Sequence, residues 1–132
     1  ITFHGKLSDE ALREQFEACD CVCLPSIERT EAFGMVLLEA MSHGKATIVS
    51  DVLGSGMSWV VENGITGIHT TPESGANLAI QLQNLRGNRD KIARLGEQGR
   101  SRFEHLFQIS RSASGVNRLY TSTIANITKK EI

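Results

Sequence analysis

Residues 31–41 read Glu-Ala-Phe-Gly-Met-Val-Leu-Leu-Glu-Ala-Met, and this stretch decides the fold of the chain. A polar run, residues 26–30, precedes it, and Gly34 stands where the loop should change into a helix. Helical spacing gives the following apolar residues a common face, which predicts packing on a sheet; they are Val36, Leu37, Ala40 and Met41. Gly44 can adopt the left-handed conformation that ends many helices. The stretch therefore predicts a loop at 25–33 and a helix at 34–43.

The start of this predicted helix is a candidate binding site for a phosphorylated ligand. The first turn of a helix leaves backbone N–H groups without partners, and the helix dipole is positive at that end. Glu31 and Glu39 flank it, and a carboxylate can accept hydrogen bonds from both hydroxyls of a diol. The arrangement suits a sugar–diphosphate–ribose ligand. On spacing alone, an alternative stays open, in which Glu39 is an ordinary glutamate on a solvated helix face.

Several segments in the same register resemble one enzyme family. Pro25-Ser26, Glu31 to Gly34, Leu38 to Met41 and Gly44 together resemble the E-x7-E region of retaining glycosyltransferases of the GT-B fold, glycosyltransferase family 4. With flanking segments, the resemblance covers most of residues 2–120. It implies that residues 1–132 form a single domain, the C-terminal, donor-binding half of a GT-B enzyme, truncated at its start. The missing half would bring the acceptor site.

The resemblance also implies roles for individual residues. Glu31 would be the catalytic-site glutamate that contacts hydroxyls of the donor sugar, and Glu39 would bind the ribose. Backbone amides would hold the sugar and the diphosphate at Phe33, Gly34, Met35, Val36 and Leu37. The backbone at Pro25 and Ser26 would border the base pocket. Basic residues that neutralise the diphosphate in this family would precede Ile1; Arg29 is close enough in sequence to help, although a solvated loop arginine is the favoured alternative.

The expected function follows from the resemblance. It is transfer of a sugar, with retention, from a nucleotide-diphosphate donor to a glycan or lipid-linked acceptor in bacterial surface polysaccharide synthesis. GDP-mannose is the first choice of donor and a UDP-sugar the second, with no metal or other cofactor. The expected location is the cytoplasm, with peripheral contact at the inner membrane face. An alternative is a sugar-nucleotide-binding module without activity of its own, and the fragment alone is expected to be inactive.

Composition narrows the class of protein. The chain has 132 residues, 40% of them hydrophobic, which suffices for one core. The net charge is −1, so the sequence lacks the excess of basic residues that is typical of nucleic-acid-binding proteins. No apolar run reaches the length of a membrane span. Cys19, Cys21 and Cys23 lie too close together for a usual zinc pattern, so reduced, buried thiols are favoured over a metal site. The chain begins without Met, so we expect a piece of a longer protein.

Strand and helix patterns alternate along the first half of the chain, which predicts a Rossmann-like α/β fold with a parallel sheet flanked by helices. Strands are predicted at 1–3, 20–24, 46–50 and 66–69, and a helix over 57–62. Ser8 should cap the first helix, whose buried face would carry Leu12, Phe16 and Cys19. Ligands bind beyond the carboxyl ends of such strands, where the loops 24–33 and 51–57 are expected. The second loop is glycine-rich but lacks G-x-G-x-x-G, which argues against a dinucleotide-dependent oxidoreductase.

A helical region is predicted at about 74–127. Leu78, Leu82 and Leu85 should share a buried face in its first helix. Asn88 should cap the second helix, whose inner side would carry Ile92, Leu95, Gly99 and Phe103. The third helix should begin near Ser110.

Overall fold

The structure, a computed structural model, describes residues 1–128. Helices and strands alternate over the first half of the chain, and three helices follow. In chain order the elements are α1 (Asp9–Ala18), β1 (Cys21–Leu24), α2 (Met35–Ser42), β2 (Ala46–Ser50), α3 (Met57–Val60), β3 (Ile68–Thr70), α4 (Gly75–Leu85), α5 (Arg89–Leu106) and α6 (Ile109–Thr128).

The described strands form one parallel sheet in the order β1-β2-β3. Cys21 pairs with Ala46 at the start of β1, and Ser50 pairs with Thr70 at the end of β3. All five residues of β2 are buried, because strands flank both of its edges and helices cover both of its faces. The predicted α/β class, a parallel sheet flanked by helices, is confirmed.

Side chains along β2 alternate between the two faces of the sheet, and a separate hydrophobic cluster lies on each face. Val49 packs with α2 and α3 in a first cluster, which contains Leu37, Met41 and Met57. Ala46 and Ile48 point to the opposite side and belong to a second cluster with residues of α4 and α5. We call these the α2 face and the α4 face of the sheet.

Side-chain caps define the starts of three helices. Ser8 accepts a hydrogen bond from the Ala11 amide, and Asn88 accepts one from the Lys91 amide, so both predicted caps are confirmed. Ser74 caps α4 in the same way, at 3.2 Å from the Asn77 amide nitrogen. Each cap satisfies an N–H group that the first helical turn leaves unpaired.

Close helix packing depends on a glycine that the sequence did not single out. A β-carbon at Gly96 of α5 would overlap the carbonyl oxygen of Gly44, at the turn between α2 and β2. A β-carbon at Gly99 would lie 3.4 Å from the Met41 side chain. These two glycines let α5 pass directly against the amino-terminal end of the sheet.

The structure corrects three predictions of element bounds. Residues 1–3 are not a strand: Ile1 and Phe3 are exposed, and no strand within residues 1–128 lies beside them. The predicted strand at 66–69 lies at 68–70, because Thr66 is held in the preceding turn by its bond to the Glu62 amide. The predicted helix at 57–62 ends at Val60, where the Val61 amide closes the last turn.

Predictions of buried faces were wrong in part. On α2, Leu38 is buried and Val36 is only partly buried, because Leu38 packs in the first cluster, against which Phe103 and Phe107 also pack. On α4, only Leu85 of the three predicted leucines is fully buried, and Leu82 remains 40% exposed. On α1, Phe16 is buried, but Leu12 is 38% exposed. In α5, Leu95 and Gly99 are buried as predicted.

Candidate functional site

Two loops meet at the carboxyl end of the sheet. The loop after β1 and the loop after β2 are joined by a hydrogen bond from the Gly56 amide to the Ala32 carbonyl, at 2.7 Å. The Ser55 hydroxyl donates to the Glu31 carbonyl at 2.6 Å. A β-carbon at Gly56 would lie 2.8 Å from that Ala32 oxygen, so this approach requires glycine. The glycine-rich loop thus has a structural role, which is to hold the segment that carries Glu31.

Glu31 and Gly34 form the centre of the site. One carboxylate oxygen of Glu31, Oε1, accepts the Gly34 N–H at 2.9 Å, directly before α2. Gly34 has φ of +78°, in the left-handed region that favours glycine, and a β-carbon there would lie 2.6 Å from Cδ1 of Leu37. Within residues 1–128, Oε2 of Glu31 accepts no hydrogen bond, so it can bind a ligand hydroxyl.

The start of α2 offers fewer free amides than the five that the resemblance names. The Gly34 amide is bonded to Glu31, and the Leu37 amide donates to the Gly34 carbonyl at 2.8 Å. Within the described chain, the amides of Phe33, Met35 and Val36 donate no hydrogen bond. Three donors therefore remain at the positive end of the helix, which is sufficient for a phosphate group.

Glu39 lies just over one turn after the start of α2, and its side chain is exposed. It borders an open cavity of about 220 Å³ between α1 and α2, together with Phe16 and His43, whose rings stack at 5.3 Å between centroids. Glu39 accepts no hydrogen bond through its carboxylate from residues 1–128. The structure therefore separates the two glutamates: Glu31 is bound into the loop, and Glu39 borders a surface cavity beside α1.

Arg29 is a cation beside the two loops. Its guanidinium carbon would lie 3.8 Å from a β-carbon at Gly54, so the side chain lies over the glycine-rich loop. In the described part of the chain it forms no salt bridge. Its charge is thus available to an anion at this edge. Lys45, by contrast, is engaged in the fold through a bond to the Glu17 carbonyl at 2.8 Å.

An aromatic cluster that the sequence did not predict packs against the loop after β1. The Phe33 ring lies 6.1 Å from the rings of Trp59 and Phe107, and Trp59 lies 5.2 Å from Phe107. Arg102 of α5 lies over Trp59, at 5.8 Å from the ring centroid. The Phe33 side chain is therefore part of the packing, and only its backbone faces the ligand edge.

Arg102 ties α5 to the end of α3. Its guanidinium donates to the carbonyls of Trp59 and Val60, at 2.7 and 3.0 Å, and to a carboxylate oxygen of Glu62 at 2.6 Å. The side chain is only 14% exposed. At least 40 positions separate these partners, so no local pattern could reveal the contact.

The three cysteines are free thiols. The sequence predicted buried thiols, but all three are only half-buried. Cys21 and Cys23 lie on the α4 face of β1 and interact with each other. The hydrogen bond from Cys23 lowers the pKa of Cys21 to about 7, and the same bond, together with burial, raises the pKa of Cys23. Burial raises the pKa of Cys19.

Two searches of the described residues gave negative results. Within residues 1–128, no group of three His, Cys, Asp or Glu side chains is arranged to hold a metal ion. Within the same residues, no helix has the length and apolar character required to cross a membrane.

The three-stranded parallel sheet, with a helix start and two loops at its carboxyl edge, makes this chain an open α/β domain, a class in which ligands bind at that edge. Comparison with known proteins identifies the family. Residues 1–102 match the family described as glycosyl transferases group 1. The chain belongs to this family.

Among curated relatives, O-antigen chain mannosyltransferase C of Escherichia coli is 31% identical over 124 residues, which are 94% of this chain and 33% of that protein. Among solved structures, sucrose-phosphate synthase of Thermosynechococcus elongatus matches with a TM-score of 0.82 and 30% identity, over 95% of this chain and 30% of its own. Anabaena HepE in complex with UDP matches with a TM-score of 0.77 and 26% identity, over 83% of this chain and 29% of its own. The chain thus spans about a third of these proteins.

Proposed function

We propose that this chain is the donor-binding, C-terminal part of a retaining glycosyltransferase of family 4, and that it binds a nucleotide-diphosphate sugar at the start of α2. The observation that supports this most directly is the bond between Glu31 Oε1 and the Gly34 amide. This bond holds a carboxylate beside three unpaired amides. An acceptor for sugar hydroxyls and donors to a phosphate group therefore lie within one helix turn.

The proposed roles of the residues come from the family resemblance, and this geometry supports them. Glu31 binds a hydroxyl of the donor sugar through Oε2, near the reacting carbon. The amides of Phe33, Met35 and Val36 bind the diphosphate, and Arg29 adds a positive charge beside them. Stabilising the departing diphosphate with fixed amide donors requires no metal ion.

Glu39 binds the ribose hydroxyls of the donor. Its carboxylate is exposed on α2 and borders the cavity beside α1, where a nucleoside can be held between the two helices. The backbone at Pro25 and Ser26 borders the base. GDP-mannose is the first proposed donor, which agrees with the name of the mannosyltransferase relative, and a UDP-sugar is the second, which agrees with the UDP complex of HepE.

The acceptor is a glycan or a lipid-linked glycan of bacterial surface polysaccharide, as the O-antigen relative supports. The reaction takes place in the cytoplasm, with peripheral contact at the inner membrane face. Other parts of a longer chain bind the acceptor and supply the remaining basic residues.

Calorimetry on the 132-residue chain tests the proposal. We expect one of GDP, UDP and ADP to bind, and Glu39→Ala to weaken that binding about tenfold, as the loss of hydrogen bonds to a charged group predicts. Glu17→Ala is the matched control, because Glu17 is an exposed helical glutamate outside the site. Absence of binding in both this chain and its full-length parent would refute the proposal.

A second candidate is a sugar-nucleotide-binding module without activity of its own. The open site favours it for the isolated chain, because one side of the start of α2 faces solvent: Met35 is 63% exposed. Transfer assays separate the two functions. If the full-length parent binds the nucleotide but transfers no sugar, the second candidate holds.

A further inference from the structure

We propose a second carbohydrate site on the α4 face of the sheet, which binds a neutral sugar ring of the acceptor glycan. It is a cavity of about 190 Å³ between the loop after β1, the end of β2 and the start of α4. We call it the Ser50 cavity, after the residue at its base; Pro25, Thr71, Glu73, Gly75 and Leu78 also line it.

The hydroxyl of Ser50 is the observation that indicates a ligand. Four polar residues of the described chain are buried, namely Thr47, Ser50, Thr66 and Thr70. The three threonine hydroxyls all form hydrogen bonds, to Thr66, Glu62 and Asn77 respectively. Ser50 is 2% exposed, yet within residues 1–128 its hydroxyl has no partner. Because no fully enclosed polar atom in these residues lacks a partner, the free hydroxyl opens into the cavity that Ser50 lines.

The start of α4 adds a second donor to the same cavity. Ser74 caps the Asn77 amide, but the Gly75 amide donates no hydrogen bond within the described residues. Gly75 itself lines the cavity, and a β-carbon there would meet nothing within 4 Å. The cavity therefore offers a ligand two free donors, a backbone N–H and a serine hydroxyl.

The other cavity residues favour a neutral, hydroxyl-rich ligand over an anion. Glu73 borders the cavity with a carboxylate, which repels an anion but accepts hydrogen bonds from hydroxyls. None of the described residues that line it is Lys, Arg or His. Pro25 and Leu78 provide apolar surface that suits the C–H groups of a sugar ring. A sugar combines these requirements.

The Ser50 cavity is separate from the proposed donor site. Ser50 lies on the same face as Ala46 and Ile48, toward α4, whereas α2 packs on the opposite face. The loop after β1 joins the two sites, since Pro25 lines the cavity and Glu31 follows in the same loop. Only the assignment of the sugar to an acceptor rests on the proposed function.

NMR spectroscopy of the ¹⁵N-labelled chain tests the inference, with methyl α-D-mannopyranoside as the probe. We expect a saturable shift of the Gly75 amide at millimolar concentrations. Ser50→Ala should weaken this binding about threefold to tenfold, as the loss of one hydrogen bond predicts. Ser58→Ala is the matched control, since Ser58 donates its hydroxyl to Asp51 outside the cavity, and it should leave the affinity unchanged.

Two further measurements separate this inference from the proposed function. Glu39→Ala should weaken nucleotide binding about tenfold but leave the mannoside shift unchanged, and saturating nucleotide sugar should not displace the mannoside. Displacement would assign the ring to the donor and overturn the inference. A shift of Gly75 by inorganic phosphate, with none by the mannoside, would overturn it as well. So would equal affinity in Ser50→Ala and the unaltered chain.

Discussion

Substituting Gly34 by alanine tests whether close packing at the start of α2 positions the site. Gly34 has φ of +78°, and a β-carbon there would lie 2.6 Å from Cδ1 of Leu37 and 3.2 Å from Cδ2 of Leu24. Leu37 is fully buried, so its side chain cannot turn away without moving the core. Alanine therefore adds two costs, one from the backbone conformation and one from the clash.

Gly87→Ala separates these two costs. Gly87 has φ of +77°, but a β-carbon there would meet nothing within 4 Å. The left-handed conformation costs alanine about 1–2 kcal/mol, and a stiffer unfolded chain returns about 0.4–1 kcal/mol. We expect Gly87→Ala to lower the free energy of unfolding by about 1 kcal/mol. Overpacking adds about 1–3 kcal/mol, so Gly34→Ala should lower it by about 2–4 kcal/mol.

Urea denaturation of both variants measures the difference, and calorimetry with the preferred nucleotide measures the effect on the site. We expect Gly34→Ala to weaken nucleotide binding, because moving Leu37 also moves the amides beside it, and Gly87→Ala to leave binding intact. Equal destabilisation by the two substitutions would refute the argument that the clash with Leu37 matters.

Three other substitutions have expected outcomes. Arg102→Lys should lower the free energy of unfolding by about 2–3 kcal/mol, since lysine cannot replace the guanidinium bonds to Trp59, Val60 and Glu62. Urea unfolding followed by fluorescence of the single tryptophan measures this loss. An unchanged free energy of unfolding would contradict the role of Arg102. Glu73→Gly should raise the free energy of unfolding by about 0.5–1 kcal/mol, because Glu73 has φ of +57°; a lower melting temperature would disagree. Cys23→Ala should slow alkylation of Cys21 at pH 7 by at least about sixfold. The hydrogen bond from Cys23 is the largest cause of the lowered pKa of Cys21, about 7 against 9.0, and burial and Asp20 oppose it. Its loss therefore reduces the thiolate by at least about fiftyfold, while the higher pKa raises the intrinsic reactivity about eightfold. Mass spectrometry of the alkylated peptide measures the rate, and an unchanged rate would exclude this coupling.

Local signals predicted the parts of the fold that depend on neighbouring residues. Ser8 and Asn88 are caps because each accepts an amide three positions later, a spacing that is visible in the sequence. The apolar run at 46–50 likewise predicted the strand β2 from neighbouring residues alone. Residues 1–3 have strand-like composition, but a strand requires a partner, and within the described chain none is present.

Long-range contacts account for what the sequence did not predict. Arg102 bonds to residues at least 40 positions away, and Gly96 is needed only because α5 crosses the turn at Gly44. For the candidate site, the sequence identified Glu31 and Gly34 and placed the two loops at the same edge. It could not show that Glu31 already binds the Gly34 amide, which leaves one carboxylate oxygen for a ligand.

The run of β2 shows why the second site could not be predicted. Its five residues are all buried, so their hydrophobicity does not show which of them point toward α2 and which toward α4. Pairing with β1 and β3 fixes the strand in register, and alternation then directs Ser50 to the α4 face. Among four buried polar residues it alone lacks a partner within residues 1–128, so its hydroxyl is free to bond to a ligand in the cavity. A buried serine at a strand end is unremarkable in sequence, and its free hydroxyl becomes evident only when every other buried polar group is seen to be paired.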